Sequence, residues 1–166
     1  MKQEIQSVSA HQIARAEIDS WRGRCMDIYA RSERAVSEVL QTAQECGQSV
    51  KLSAMAGPRL AEVQGLAERL TQTGKQRQAA SNAIIRWRGI EPKRAYLAHG
   101  ELTTLLDRED RWHARLDLTR FKANRPIEEV WVMAHNEVEA FEEELQESFA
   151  QLKQQLGMLR KGLLLT

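Results

Sequence analysis

The stretch Lys93-Arg94-Ala95-Tyr96-Leu97-Ala98-His99-Gly100 sets an arginine and a histidine five positions apart, directly after Pro92. A guanidinium is permanently charged and shaped to grip phosphate, and an imidazole titrates near neutral pH and can move a proton. Together they form a minimal set for phosphodiester chemistry, in which one group neutralises charge on phosphoryl oxygens and the other serves as general base or acid. Proline in the first turn of a helix sacrifices no hydrogen bond, so helix is predicted from Lys93 onward. Residues five apart on such a helix are rotated by about 140°. Arg94 and His99 then lie on adjacent faces, from which their long stems could converge on one anion.

A second pair, Arg108 and His113, has the same spacing but straddles a predicted helix end and a predicted strand, so its geometry is less defined. Between them Trp112 offers a face on which a base can stack, although a tryptophan at such a junction is more often core. His135 and Glu139 are four apart on one predicted helix, but two ligands do not make a metal site, and no metal is expected. The chain has no glycine-rich nucleotide loop, no Cys/His zinc spacing and no Gly-x-Ser-x-Gly, so neither a cofactor nor a nucleophile triad is expected. Cys25 and Cys46 are the only cysteines. On one helix they would stand about 30 Å apart, beyond disulfide reach, which fits a cytoplasmic protein with reduced thiols.

Arg94-x-x-x-Ala98-His99-Gly100 at the head of a helix, with a tryptophan-containing segment soon after, resembles the motif of the HEPN superfamily of prokaryotic helical domains. By pattern the resemblance spans residues 75–160. Many members are metal-independent ribonucleases of toxin–antitoxin, abortive-infection and CRISPR systems. The resemblance implies Arg94 and His99 as the catalytic pair and a homodimer that brings two such motifs together. It also implies RNA as substrate and an antitoxin or other phage-defence component as a protein partner. Lys93, Tyr96, Arg108, Arg111, Trp112 and His113 are the candidate RNA contacts near the pair. Ala95 stands where the family usually has a polar residue directly after the arginine. That departure suits the alternative reading, a non-catalytic helical dimerisation or interaction module of the same fold. In a third reading, a coiled-coil-type structural protein, the Arg–His spacing is coincidence.

The elements that must position these residues are mostly helical. Ser9 to Cys46 reads as one amphipathic helix with Ser9 as N-cap and Gly47 just past its end. A second helix starts at Pro58 and ends near Gly74, and a third covers 75–88. After the break at Gly89-Ile90-Glu91-Pro92, the motif helix is predicted over 93–107. Residues 112–119 alternate apolar and polar, the pattern of a half-buried strand. Pro126 is expected to restart helix, with Ile127, Val130, Trp131, Ala134, Val138, Phe141 and Leu145 along one seam. The expected fold is mainly α: an elongated helical bundle with long first and last helices and a short β-hairpin or strand near 112–120. It forms a single domain over residues 1–166.

Composition sets the remaining bounds. A chain of 166 residues can bury a core without metal or disulfide. Its 42% hydrophobic and 28% charged residues suit an ordinary soluble protein. No stretch approaches the ~20 apolar residues of a membrane span, and Met1–Gln6 lacks the pattern of a secretory signal. The net charge of +1 gives no global nucleic-acid signature, but charge is unevenly placed. Residues 75–125 carry twelve Lys and Arg against six acids, a net +6, whereas 128–147 hold eight glutamates and no Lys or Arg. Such polarity builds a basic RNA-facing side, or brings acidic and basic faces together within the fold or across a dimer.

Overall fold

Ser9 and Gln12 exchange hydrogen bonds at the head of the first helix, Ser9 N to Gln12 Oε1 at 2.9 Å and Gln12 N to Ser9 Oγ at 3.2 Å. This capping box satisfies two donors that have no helical partner. The helix, α1 (Ala10–Glu45), ends as its sequence predicts. Gly47 takes φ 78°, Gln48 N donates to Ala43 O and Gly47 N to Gln44 O, which is the Schellman arrangement.

The computed structural model describes residues 9–70 and 73–165; the reading of Met1–Gln6 lies outside them. After α1 come α2 (Ala56–Leu70), α3 (Gly74–Ile90) and α4 (Lys93–His99). The strands β1 (Glu101–Leu106), β2 (Trp112–Lys122) and β3 (Arg125–Ala134) follow, and then α5 (His135–Leu164). Helix accounts for 68% of the described residues, with long first and last helices. No helix among the described residues is long and apolar enough to cross a membrane.

Two expectations need correction. The motif helix does not run to Asp107: it stops at His99, and Glu101–Leu106 is a strand. Leu102 and Leu106 are four apart, which satisfies a helix face and equally the inward face of a strand. With Thr104 between them they occupy that inward face. Nor does Pro126 restart helix, since Arg125–Ala134 is a strand and α5 begins nine residues later than Pro126, at His135. The cause is the turn between β2 and β3. Ala123 and Asn124 have φ 49° and 61°, and Lys122 pairs with Arg125, the two-residue hairpin whose twist matches that of the strands. Ile127, Val130, Trp131 and Val132 are residues that favour strands. The result is a three-stranded antiparallel sheet in the order β1-β2-β3.

Alanine at positive φ is costly. Ala123→Gly is therefore expected to raise stability by about 1 kcal/mol, read as a higher midpoint in thermal or urea unfolding.

The described chain divides into two compact units. One comprises Asp27–Pro92 and the chain from Glu144. Its core joins Tyr29, Val39 and Leu40 of α1 to Leu66 of α2, Ile84 and Trp87 of α3, and Leu152 and Leu156 of α5. Trp87 meets Tyr29 edge-on at 5.5 Å and Phe149 at 6.1 Å, and the Tyr29 hydroxyl donates to Ile90 O. The other unit holds α1 up to Met26, α4, the sheet and α5 up to Glu143. Its core sits between the helical segments and the inward face of the sheet, where Thr104, Trp112, Ala114, Leu116, Leu118 and Met133 are buried. This second unit carries the motif.

Candidate functional site

Arg94 and His99 are both on α4, seven residues long, and neither is part of the buried core: Arg94 is half-buried and His99 exposed. The helix is anchored by Leu97, which is 1% exposed, and by Tyr96. The Tyr96 ring meets Trp131 at 5.8 Å and its hydroxyl donates to Glu129 Oε2 at 2.9 Å. Burial, and then the bond to Glu129, hold the phenol above its ordinary pKa and keep it a donor. Arg120 completes the set by pairing with Glu129 at 2.8 Å and lying over the Tyr96 ring. Lys93 Nζ stands 4.4 Å from the centre of the Trp131 ring, a cation–π contact. Trp131 in turn packs on Phe141 at 5.1 Å and on Trp21 at 6.3 Å, so the motif helix rests on an aromatic cluster drawn from α1, β3 and α5.

The C-terminal end of α4 is fixed from the other side. Arg22 of α1 donates through Nε to Leu97 O and through Nη2 to Gly100 O at 3.3 Å. A cationic side chain thereby satisfies carbonyls that a helix end leaves open. Gly100 N closes the last turn on Tyr96 O at 2.9 Å. A Cβ at Gly100 would collide with that same Tyr96 oxygen and sit 3.3 Å from Leu116 Cβ. Gly100→Ala is thus expected to push the last turn away from β2 and cost about 1–3 kcal/mol. Loss of thermal stability, together with a displaced His99 ring signal in NMR spectra, reads out that shift.

The other expected RNA contacts are dispersed. Arg108 is exposed in the β1–β2 turn. Arg111 is committed to that turn through ion pairs with Asp107 at 2.9 Å and Glu109 at 3.0 Å, and this pairing holds the Asp107 carboxyl below its ordinary pKa. Trp112 points inward: its ring is 7% exposed, its N–H donates to Glu17 Oε2 at 2.6 Å, and it meets His135 edge-on at 4.8 Å. What remains of its surface lines a cavity beside His135. His113 lies on the outward face of β2, whereas α4 packs on the inward face. His113 and the Arg94–His99 helix therefore lie on opposite faces of the sheet, with Arg108 in the turn at its end. Part of the acidic segment finds its partners within the fold, Glu129 with Arg120 and Glu147 with Arg86 at 3.0 Å.

His135 and Glu139 line a cavity of about 650 Å³ together with Glu17, Ser20, Trp21 and Arg24. Arg24 is already held bidentate by Glu142. No group of three or more His, Cys, Asp or Glu among the described residues is placed to hold a metal ion. The cysteines sit in different surroundings. Burial, with Glu142 adding and Arg24 opposing, pushes the Cys25 thiol up to about 12, whereas Cys46 is exposed. Because the thiolate is the reactive form, one thiol per chain is expected to react with a thiol reagent at pH 8 in the native protein. The second is expected only after denaturation.

Sequence reasoning found α4 but not its supports. Arg22 is 75 residues from Leu97, and Tyr96 is 33 from Glu129, and no local pattern marks such partners. The chain matches no protein-family model, no characterised protein and no solved structure.

Proposed function

We propose that this protein is a metal-independent endoribonuclease of a prokaryotic defence or toxin–antitoxin type, acting through Arg94 and His99 in a homodimer. The observation that carries this reading is the exposure of His99 at the end of a helix anchored by Leu97 and Tyr96 and held at its terminal carbonyls by Arg22. A histidine with only a packing role would be buried; this one is presented to solvent from an anchored helix end, as a proton-transfer group must be. His99 takes the proton from an RNA 2′-hydroxyl, whose oxygen attacks the adjacent phosphorus, or delivers one to the departing 5′-oxygen. Two copies of the motif supply both roles. Arg94 neutralises the charge that builds on the non-bridging oxygens. The products are a 2′,3′-cyclic phosphate and a 5′-hydroxyl. Lys93, beside Arg94, adds positive potential for the RNA backbone.

The test is cleavage of a panel of RNAs by the purified protein in EDTA, with Arg94→Ala and His99→Ala alongside. Cleavage lost in both folded variants supports the reading. A folded dimer inert towards every RNA turns it towards the non-catalytic interaction module, the reading that Ala95 suits.

A further inference from the structure

The two edges of the sheet are treated differently by the rest of the chain. In a two-residue hairpin the residues flanking the turn form a hydrogen-bonded pair, and bonding alternates from there. Starting from Lys122 and Arg125, the odd-numbered residues of β3 bond to β2, and the even-numbered ones point their N–H and C=O groups away from the sheet. The same alternation, set by the Asp107 N to Arg111 O bond, turns the carbonyls of Leu102 and Thr104 outward from β1. On that edge α1 covers them: Arg15 donates to Leu102 O at 3.2 Å and His11 Nε2 lies 3.2 Å from Thr104 O. The β3 edge has no such cover among the described residues. Its outward positions are Pro126, Glu128, Val130, Val132 and Ala134. Pro126 has no N–H, and the Ala134 N–H is taken by Glu137 at 2.8 Å. Glu128, Val130 and Val132 remain, with both valines half exposed, at 51% and 50%.

This pattern is symmetric about Val130. We infer that β3 pairs antiparallel with β3 of a second copy of this chain, across a two-fold axis at Val130, to give one continuous six-stranded sheet. In that register Val130 faces the partner's Val130 and Glu128 faces the partner's Val132. The two positions lacking a donor, Pro126 and Ala134, face each other. Each of the three central residues donates and accepts once, so six backbone hydrogen bonds form and no available donor of this edge is left over. Charge does not oppose the pairing. Glu128, which accepts from Thr119 in its own chain, lies in one cross-strand row with the partner's Arg115, two strand spacings or about 10 Å away between Cα atoms, and Arg115 is itself paired with Asp117, so the row sets no like charges against each other. A one-residue slip would put outward groups against inward ones and break the ladder.

The pairing stands without reference to RNA cleavage; its consequence for the site rests on the function proposed above. Tyr96 and Lys93 of α4 contact Glu129 and Trp131, the two neighbours of Val130. The axis thus places both α4 helices on the same face of the joined sheet, flanking the dyad, where two copies of His99 and Arg94 share one strand of RNA.

The test uses the full chain in solution. Its mass by sedimentation or light scattering is expected to be that of a dimer. Val130→Pro removes one outward N–H at a position where, as at Pro126, no bond to β2 is lost, and Val132→Lys sets a charge on the edge. Both are expected to halve the mass while circular dichroism stays native. In a Cys46→Ser background, Val130→Cys is expected to cross-link to itself, because hydrogen-bonded pairs have Cα atoms about 5.5 Å apart, within disulfide range. A monomeric wild type overturns the inference, as does a dimer that survives both edge variants and gives no Val130→Cys cross-link. Another protein's strand bound to a monomeric chain at this edge also overturns it. His99→Ala stays dimeric in either case, so a failed nuclease reading leaves the mass results intact. Monomeric Val130→Pro that still cleaves RNA supports the interface and removes its role in catalysis.

Discussion

His99→Ala is expected to lower RNA cleavage by about 10²–10⁴-fold, the usual contribution of a positioned general acid or base, with little change in thermal unfolding. The side chain is exposed, so removing it opens no cavity, and substitutions of exposed residues away from special features generally stay within about 0.5 kcal/mol. Arg94→Ala is expected to be comparably inactive. Arg94→Lys separates charge from shape: a lysine retains the charge but loses the planar fork that grips two phosphoryl oxygens, so only partial activity returns. Activity that persists in His99→Ala would show that the imidazole does not transfer the proton.

Trp21→Ala should have the largest effect on the fold, a loss of about 3–5 kcal/mol. Trp21 is 2% exposed and packs on both Trp131 and Phe141, and Trp131 supports Tyr96 and Lys93 of α4. The substitution therefore removes the ring beneath the one on which the motif helix sits. Denaturant unfolding should report the lost stability, and cleavage should fall with it because α4 loses its seat. Trp21→Phe is the contrasting variant. It keeps a ring in place and deletes an indole N–H that finds no acceptor among the described residues, so the cost should be about 1 kcal/mol. Equal losses for the two variants would contradict the role given to the ring stack.

What the sequence revealed was local, and what it hid was long-range or periodic in two ways at once. Ser9, Gln12 and Gly47 carry their cap chemistry in their own side chains and conformations, so both ends of α1 could be read directly. The alternation from Trp112 to Thr119 has only one period and predicted β2. Leu102 and Leu106 fit helix and strand alike, and Gly100, read as a residue inside the motif helix, is in fact where it ends. In β3 the apolar residues after Pro126 run on into the seam of α5, and it takes the positive φ values at Ala123 and Asn124 and the pairing of Lys122 with Arg125 to show that the chain has turned back on β2. Arg94 and His99 stood out through residue type and spacing. Arg22, Glu129 and Arg120, which fix the helix carrying them, are set by tertiary pairing alone.

The central claim is the chemistry of the Arg94–His99 pair, and the ends of the RNA fragments test it most directly. Purified protein incubated with RNA in EDTA should leave 2′,3′-cyclic phosphate and 5′-hydroxyl ends, with no such ends produced by His99→Ala or Arg94→Ala. Fragments ending in 3′-hydroxyl and 5′-phosphate, or cleavage that EDTA abolishes, would contradict it.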